Sequence, residues 1–167
     1  MVSKIPVLAV GFFFFAMLTA VGVGSGFASS FSTRGHDGEI VVNDSKTGLA
    51  WQQNTADTNN DGTVTPAPYP GGDSMKWQQA IDYCEELDYG GTTSWRLPEY
   101  KELMTLVDHV HSYPAIDPVF QCESHYYWSA TVYEGDVNEA RYVHFNFGSD
   151  HWKPKDKRAF VRCVSKD

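Results

Sequence analysis

Trp95-Arg96-Leu97-Pro98 decides the fold of this 167-residue chain, because it separates two helical patterns and cannot itself continue a helix. A residue that precedes proline is disfavoured in the helical region of backbone space, so the sequence predicts an extended conformation at Leu97. Proline is favoured in the first turn of a helix, so we expect Pro98 to open a helix that reaches about His109. The motif should therefore lead into the second helix of the chain.

The first helix is predicted upstream, over residues 74–88. Ser74 is a suitable N-terminal cap, and the pair Gly90-Gly91 is typical of a helix end. Apolar residues recur at helical spacing on one face, and they are Trp77, Ala80, Ile81, Cys84 and Leu87. The corresponding apolar residues of the second helix are Leu103, Leu106 and Val107. We expect both sets to face a common core.

Strands are predicted at both ends of the folded part, over residues 39–43, 49–52, 126–133, 140–147 and 159–164. The first two are joined by a turn and should pair. In residues 140–147, Val143, Phe145 and Phe147 alternate with polar residues, which predicts one buried face. Residues 148–157 are predicted to be a loop. The fold class is α+β: two helices packed on an antiparallel sheet, with long loops and with the first and last strands as neighbours.

The beginning of the chain has the pattern of an export signal. Lys4 precedes a long apolar run, and cleavage is expected after Ala28, which gives a signal peptide over residues 1–28. An uncleaved membrane anchor is the alternative, because the run is almost long enough to span a bilayer. A polar lead-in is predicted over residues 29–37 and one domain over residues 38–167. The net charge of −8 argues against nucleic acid as a partner.

Three cysteines in an exported chain predict one disulfide and one free thiol. Sequence alone allows three pairings. We favour Cys84 with Cys163, because one lies on a helix face and the other in a terminal strand pattern. Cys122 is then free, either buried as a small apolar side chain or used between molecules.

The loop of residues 54–73 contains the opening of a calcium-binding loop, Asp57-Thr58-Asn59-Asn60-Asp61-Gly62-Thr63. Alternate oxygens in this pattern converge on one ion, and the glycine permits the sharp turn. The glutamate that usually completes such a loop is absent, since Pro68 stands in its place. The predicted ligands of a structural Ca²⁺ are Asp57, Asn59, Asp61, Thr63 and Asp73. The alternative is a polar surface turn without metal.

A candidate ligand-binding surface lies near the end of the chain. Tyr142 and His144, with Trp152 nearby, are predicted to form an aromatic platform on which a sugar ring stacks. Lys153 and Lys155 belong to a basic cluster that suits anionic glycans or sulfate groups. The alternative is a solvated loop and ordinary exposed aromatic residues.

Other prominent residues are predicted to be structural. Arg96 should form a buried ion pair with Glu102 or Asp117, and the tryptophans at positions 51, 77, 95 and 128 should lie in the core. The chain contains no known hydrolase, metalloprotease, phosphate-loop or Cys-x-x-Cys motif, so we expect that it is not an enzyme. A nucleophilic Cys122 beside His125 is a distant alternative.

Six fragments in order resemble the C-terminal domain family of Legionella collagen-like proteins, Lcl_C. They lie at residues 47–52, 77–84, 95–98 with 102–103, 116–117 with 120, 127–129 and 161–164, so the resemblance covers nearly all of the predicted domain. The family is similar to the C-type-lectin-like architecture. No Gly-X-Y collagen repeat is present, so the resemblance does not imply a collagen stalk.

The resemblance implies a secreted, cell-surface or periplasmic binding or adhesion module, with an extracellular glycan or protein as its ligand. The first alternative is a structural subunit of an extracellular fibre or surface assembly that associates with copies of itself. No nucleic acid is expected as a partner, and a membrane is expected only if the signal stays uncleaved.

Overall fold

The computed structural model describes residues 30–58, 64 and 73–166. The predicted signal peptide lies outside these residues. Within them the chain is α+β, as predicted. The elements are β1 Phe31–His36, β2 Glu39–Asp44, β3 Leu49–Gln52, β4 Met75–Lys76, α1 Trp77–Glu86, β5 Trp95–Arg96, α2 Tyr100–Met104, β6 Tyr126–Val132, β7 Glu139–His144, β8 Ser149–Pro154, β9 Arg158–Ala159 and β10 Val164–Ser165.

The described strands form three antiparallel sheets rather than one. The largest has the order β1-β2-β3-β10-β5, and the hairpin of β2 and β3 is confirmed. The last strand, β10, pairs with β3 and β5, so the prediction that it neighbours the first strand is wrong. Residues 31–36 are not a mere lead-in, because they pair with β2 as the edge strand β1. Most of the β1 side chains are exposed, so no apolar pattern indicated this strand.

Helix α1 begins at Trp77, two residues later than an N-cap at Ser74 predicts. Met75 and Lys76 pair with β9 instead, and Lys76 occupies the N-cap position that the sequence assigned to Ser74. Ala80 and Cys84 are fully buried on the inner face of the helix. The predicted disulfide joins Cys84 to Cys163, so it ties α1 to the segment that leads into β10.

The Trp95-Arg96-Leu97-Pro98 motif enters the fold as strand β5 and the start of a connection. Trp95 is buried, and its indole nitrogen donates hydrogen bonds to the carbonyls of Tyr89 and Thr92. Helix α2 begins at Tyr100, capped by Glu99, so Pro98 precedes the helix rather than opening it. The helix has five residues, and the chain continues through turns to residue 109.

Arg96 holds the beginning of α2 in place. Its two terminal nitrogens each donate to one carboxylate oxygen of Glu102 at 2.7 Å, and the Glu102 carboxylate also accepts from the backbone N–H of Glu99. The ion pair raises the pKa of Arg96, and hydrogen bonds from Arg96 lower the pKa of Glu102. The predicted pair with Glu102 is thus confirmed, but it is only partly buried, since the Arg96 side chain is 41% exposed.

The second sheet, β6-β7-β8, has two differences from the prediction. Residues 149–154 pair with β7 as an edge strand, although we predicted a loop there. Strand β7 ends at His144, and the chain then turns at Gly148, whose φ is +73°. Because of this turn Phe147 is 56% exposed, whereas Val143 and Phe145 are buried as predicted.

The core contains the predicted tryptophans at positions 51, 95 and 128 as buried side chains, with Trp77 partly buried at its edge. The predicted final strand of residues 159–164 is interrupted. Phe160, Val161 and Cys163 enter the core between β9 and β10, and Arg162 between them is fully buried. Its guanidinium donates to the backbone carbonyls of Gln52, Gln53 and Gln121.

Candidate binding face

One side of the β6-β7-β8 sheet has a group of aromatic residues around a lysine. The strand register puts Tyr126 opposite His144, Trp128 opposite Tyr142, and Ala140 opposite Lys153. Opposite residues in an antiparallel pair project to the same side of the sheet. We call this surface the aromatic face and define it by Tyr126, Trp128, Tyr142, His144 and Lys153. Trp128 is buried beneath it, and the other four are partly exposed.

The rings of the aromatic face pack against one another. The Tyr126 ring centroid lies 5.0 Å from that of Tyr142, edge to face, and 4.4 Å from that of His144. Such ring pairs contribute about 0.5–1.5 kcal/mol beyond the area that they bury. The neighbouring rings therefore hold Tyr126 in position while part of its surface stays open to solvent.

Lys153 lies among these rings. Its ammonium nitrogen is 4.6 Å from the ring centroid of Tyr126, 5.5 Å from that of Trp128 and 5.7 Å from that of Tyr142. The nitrogen also donates a hydrogen bond to the carbonyl of Arg158 at 2.9 Å. Burial and the nearby charge of Lys157 lower the pKa of Lys153. The positive charge is thus fixed by cation–π contacts and one hydrogen bond.

A pocket of about 330 Å³ opens beside the aromatic face, and we call it the basic pocket. Three basic side chains border it, from the segment before β6, from β8 and from β9. Arg158 is oriented by a hydrogen bond from its Nε to the carbonyl of Ser74 at 2.9 Å. The residues around the pocket are Ser74, His125, Tyr126, Lys153, Arg158, Ala159 and Phe160. Lys153 and Arg158 thus bring two positive charges to the pocket in a chain whose net charge is −8.

Trp152 does not join the aromatic face, although the sequence grouped it with Tyr142 and His144. It lies opposite Arg141, on the other side of the sheet, and stacks on Tyr133 with the ring centroids 4.2 Å apart. His151 lies opposite Tyr142, so it projects to the side of the aromatic face, at the edge strand. Its ring is stacked 4.2 Å from that of Trp152 and lies 6.2 Å from that of Tyr142.

Lys155 is likewise separate from Lys153. Its ammonium nitrogen is 4.0 Å from the ring centroid of Trp77 and donates to the carbonyl of Val137 at 2.8 Å. Its backbone carbonyl accepts from the N–H of Trp77. These contacts attach the turn after β8 to the start of α1, so Lys155 is engaged in packing. Of the predicted ligand-binding residues, the structure brings together Tyr142, His144 and Lys153.

Three of the predicted calcium ligands, Asn59, Asp61 and Thr63, lie outside the described residues. Asp73 is fully buried, and its Oδ1 accepts from the backbone N–H and the hydroxyl of Thr58 at 2.9 and 3.2 Å. Among the described residues no group of three or more His, Cys, Asp or Glu side chains is arranged to hold a metal ion. Calcium binding stays a prediction.

Of the residues around the basic pocket, the sequence selected only Lys153 as a ligand-binding residue. Tyr126 was predicted only as the start of a strand, His125 was considered only as a partner for Cys122, and Arg158 belonged only to the basic cluster of Lys153 and Lys155. The strand β9 brings Arg158 to β6, because Phe160 forms a bridge with Tyr127. No local sequence pattern gives that long-range contact.

Comparison with known protein families identifies the domain. The model of the protein family described as Lcl C-terminal domain matches residues 40–165. No match was found among curated proteins or among solved structures. Within the described residues, no helix is both long and apolar enough to pass through a bilayer. Because the family match covers well over half of the sequence, the resemblance to Lcl_C is confirmed, and the chain belongs to the Lcl C-terminal domain family.

Proposed function

We propose that this chain is an extracellular binding module of C-type-lectin-like type and that its aromatic face binds glycans carrying anionic groups. Membership of the family indicates a bacterial surface or secreted protein, and the disulfide indicates an oxidising compartment. The observation that carries the proposal is the placement of Lys153 among aromatic rings at the border of the basic pocket.

The chemistry of this surface suits an acidic sugar. A pyranose ring has an apolar side that stacks on Tyr126 or Tyr142, and its anionic substituent would meet Lys153 and Arg158. Rings held by neighbouring rings lose little conformational entropy when a ligand binds. The pocket of about 330 Å³ is at the lower end of the size range of small-molecule sites, and the partly exposed sheet beside it would contact the rest of a longer glycan.

The test is binding of dextran sulfate, a sulfated glucan, with unsulfated dextran as the comparison. We expect Tyr142→Ala and Lys153→Gln each to weaken binding of dextran sulfate about five-fold, since each removes one ring or cation contact. Phe147→Ala and Lys46→Gln are the matched controls, because both side chains are exposed outside the aromatic face. Equal losses in the controls, or no binding by the native chain, would contradict the proposal.

A binding role is favoured over catalysis by the state of Cys122. Burial raises the pKa of this thiol, and its Sγ donates to the carbonyl of Glu123 at 3.4 Å. A protonated thiol is a poor nucleophile. We expect Cys122→Ser to leave glycan binding unchanged.

Self-association is a second candidate function, because an exposed aromatic pair lies at another part of the surface. The rings of Tyr113 and Phe147 are 4.8 Å apart, and the residues are 61% and 56% exposed. Two such copies packed together would remove this apolar surface from water. Light scattering of the purified chain tests this candidate. A monomer at all concentrations would contradict it.

A further inference from the structure

Two histidines lie on and beside the aromatic face, close to Lys153. The ring centroid of Tyr126 lies 4.4 Å from that of His144 and 5.0 Å from that of His125. The two imidazole centroids are 6.3 Å apart. His125 also packs edge to face on Phe160, with 5.8 Å between centroids, and it lines the basic pocket.

The charges around these imidazoles are mostly positive. Lys153 approaches both from β8, Arg158 borders the same pocket from β9, and each histidine faces the other. Glu123, in the segment before β6, is the carboxylate that acts on His125. His151 lies farther along the face, against Tyr142. Protonation of either imidazole is therefore opposed by the positive charges that already lie nearby.

This environment favours the neutral imidazoles in the free protein. Burial lowers the pKa of His125, and Lys153 lowers it further against the opposing effect of Glu123. Burial also lowers the pKa of His144, followed by His125 and Lys153. Both rings are then mainly uncharged at neutral pH. Because each pKa is lower in the folded than in the unfolded chain, the free fold loses stability as the pH falls below about 6.5.

We propose that His125 and His144 make this face a proton-linked binding site, which takes up protons with an anionic ligand and holds that ligand more tightly in mildly acidic solution. The inference rests on the proposed function, since it concerns the same surface. In the free protein the protonated imidazoles have little negative charge near them, and a bound sulfate or carboxylate would provide it. By linkage, the ligand raises the affinity of both histidines for protons as much as protons raise the affinity for the ligand.

The size of the effect follows from charge separation. A full positive charge about 5 Å from an anion strengthens binding about four-fold at the dielectric constant of water. Two imidazolium ions, with some screening by salt, then give about ten-fold tighter binding at about pH 5 than at about pH 7.5.

Dextran sulfate is the suitable probe, because its sulfate esters stay ionised over this range and any pH dependence belongs to the protein. Affinity is measured at about pH 7.5 and about pH 5 for the native chain and for the double variant His125→Gln, His144→Gln. His36→Gln is the control, since His36 is an exposed residue of β1 paired with Asp37. Circular dichroism checks that each variant is folded, and the single variants replace the double variant if it is not.

We expect the native chain and His36→Gln to gain about ten-fold in affinity on acidification and the double variant to gain less than about two-fold. Imidazole NMR of the native chain should show the pKa values of His125 and His144 rising when dextran sulfate binds. Binding that does not depend on pH, an unchanged dependence in the double variant, or unmoved imidazole pKa values would overturn the inference while leaving the proposed function intact. Absence of binding at both pH values would overturn the two together.

Discussion

Loss of the Cys84–Cys163 disulfide should remove much of the stability of this domain. The bond closes a loop with a sequence separation of 79 residues, and both sulfurs lie in the core with no exposed surface. In the chain-entropy description, opening a loop of this length costs about 4.5 kcal/mol. Small domains are stable by about 5–15 kcal/mol in total, so the bond accounts for a large part of that stability.

The assay is urea denaturation of the variant Cys84→Ala, Cys163→Ala, followed by the fluorescence of the buried tryptophans. With a dependence on urea of about 1.5 kcal/mol per molar, the midpoint should fall by about 3 M. Cys122→Ala is the matched control, because it removes a thiol without opening a loop. A double variant whose midpoint stays within about 0.5 M of the native value would refute the reasoning.

Three further predictions concern single side chains. Arg162→Leu should destabilise the fold by about 3–5 kcal/mol in urea denaturation, because three backbone carbonyls, one buried and two partly buried, lose their donor; a loss below about 1 kcal/mol would contradict this. Glu102→Gln should cost about 1 kcal/mol at neutral pH. Because the pKa of Glu102 is lowered in the fold, the difference in stability between the native chain and Glu102→Gln should disappear as acid protonates the native carboxylate. Urea denaturation at neutral and at acidic pH checks this, and an equal cost of the substitution at the two pH values would contradict it. Calcium should raise the melting temperature of the native chain but not of Asp57→Asn, and no rise with the native chain would exclude a structural ion.

Much of the fold follows from local patterns in the sequence. The helical spacing of Ala80 and Cys84 predicted the inner face of α1, and the turn after residue 43 predicted the hairpin of β2 and β3. The proximity of Arg96 and Glu102 along the chain made their ion pair a natural expectation. In each case the deciding contacts lie within one element or between consecutive ones.

The parts that were missed depend on contacts between distant segments. Strand β8 has exposed residues, a charged residue near each end and a terminal proline, so nothing in its sequence distinguishes an edge strand from a loop. Burial of Arg162 depends on backbone carbonyls up to 110 residues away along the sequence, and no pattern of side chains predicts such contacts. The same limit applies to the binding face. The sequence identified Tyr142, His144 and Lys153, but His125 and Arg158 reach the pocket only through the packing of β9 on β6.

An NMR titration with dextran sulfate tests the central claim most directly, because it locates the ligand on the folded chain. Backbone amide signals of the native protein are followed in mildly acidic solution, where binding should be tightest. We predict that the largest shifts fall on β6, β7 and β8, above all at Tyr126, Tyr142, His144 and Lys153. Shifts confined to other surfaces, such as the region of Tyr113, would contradict the assignment of the aromatic face as the binding site.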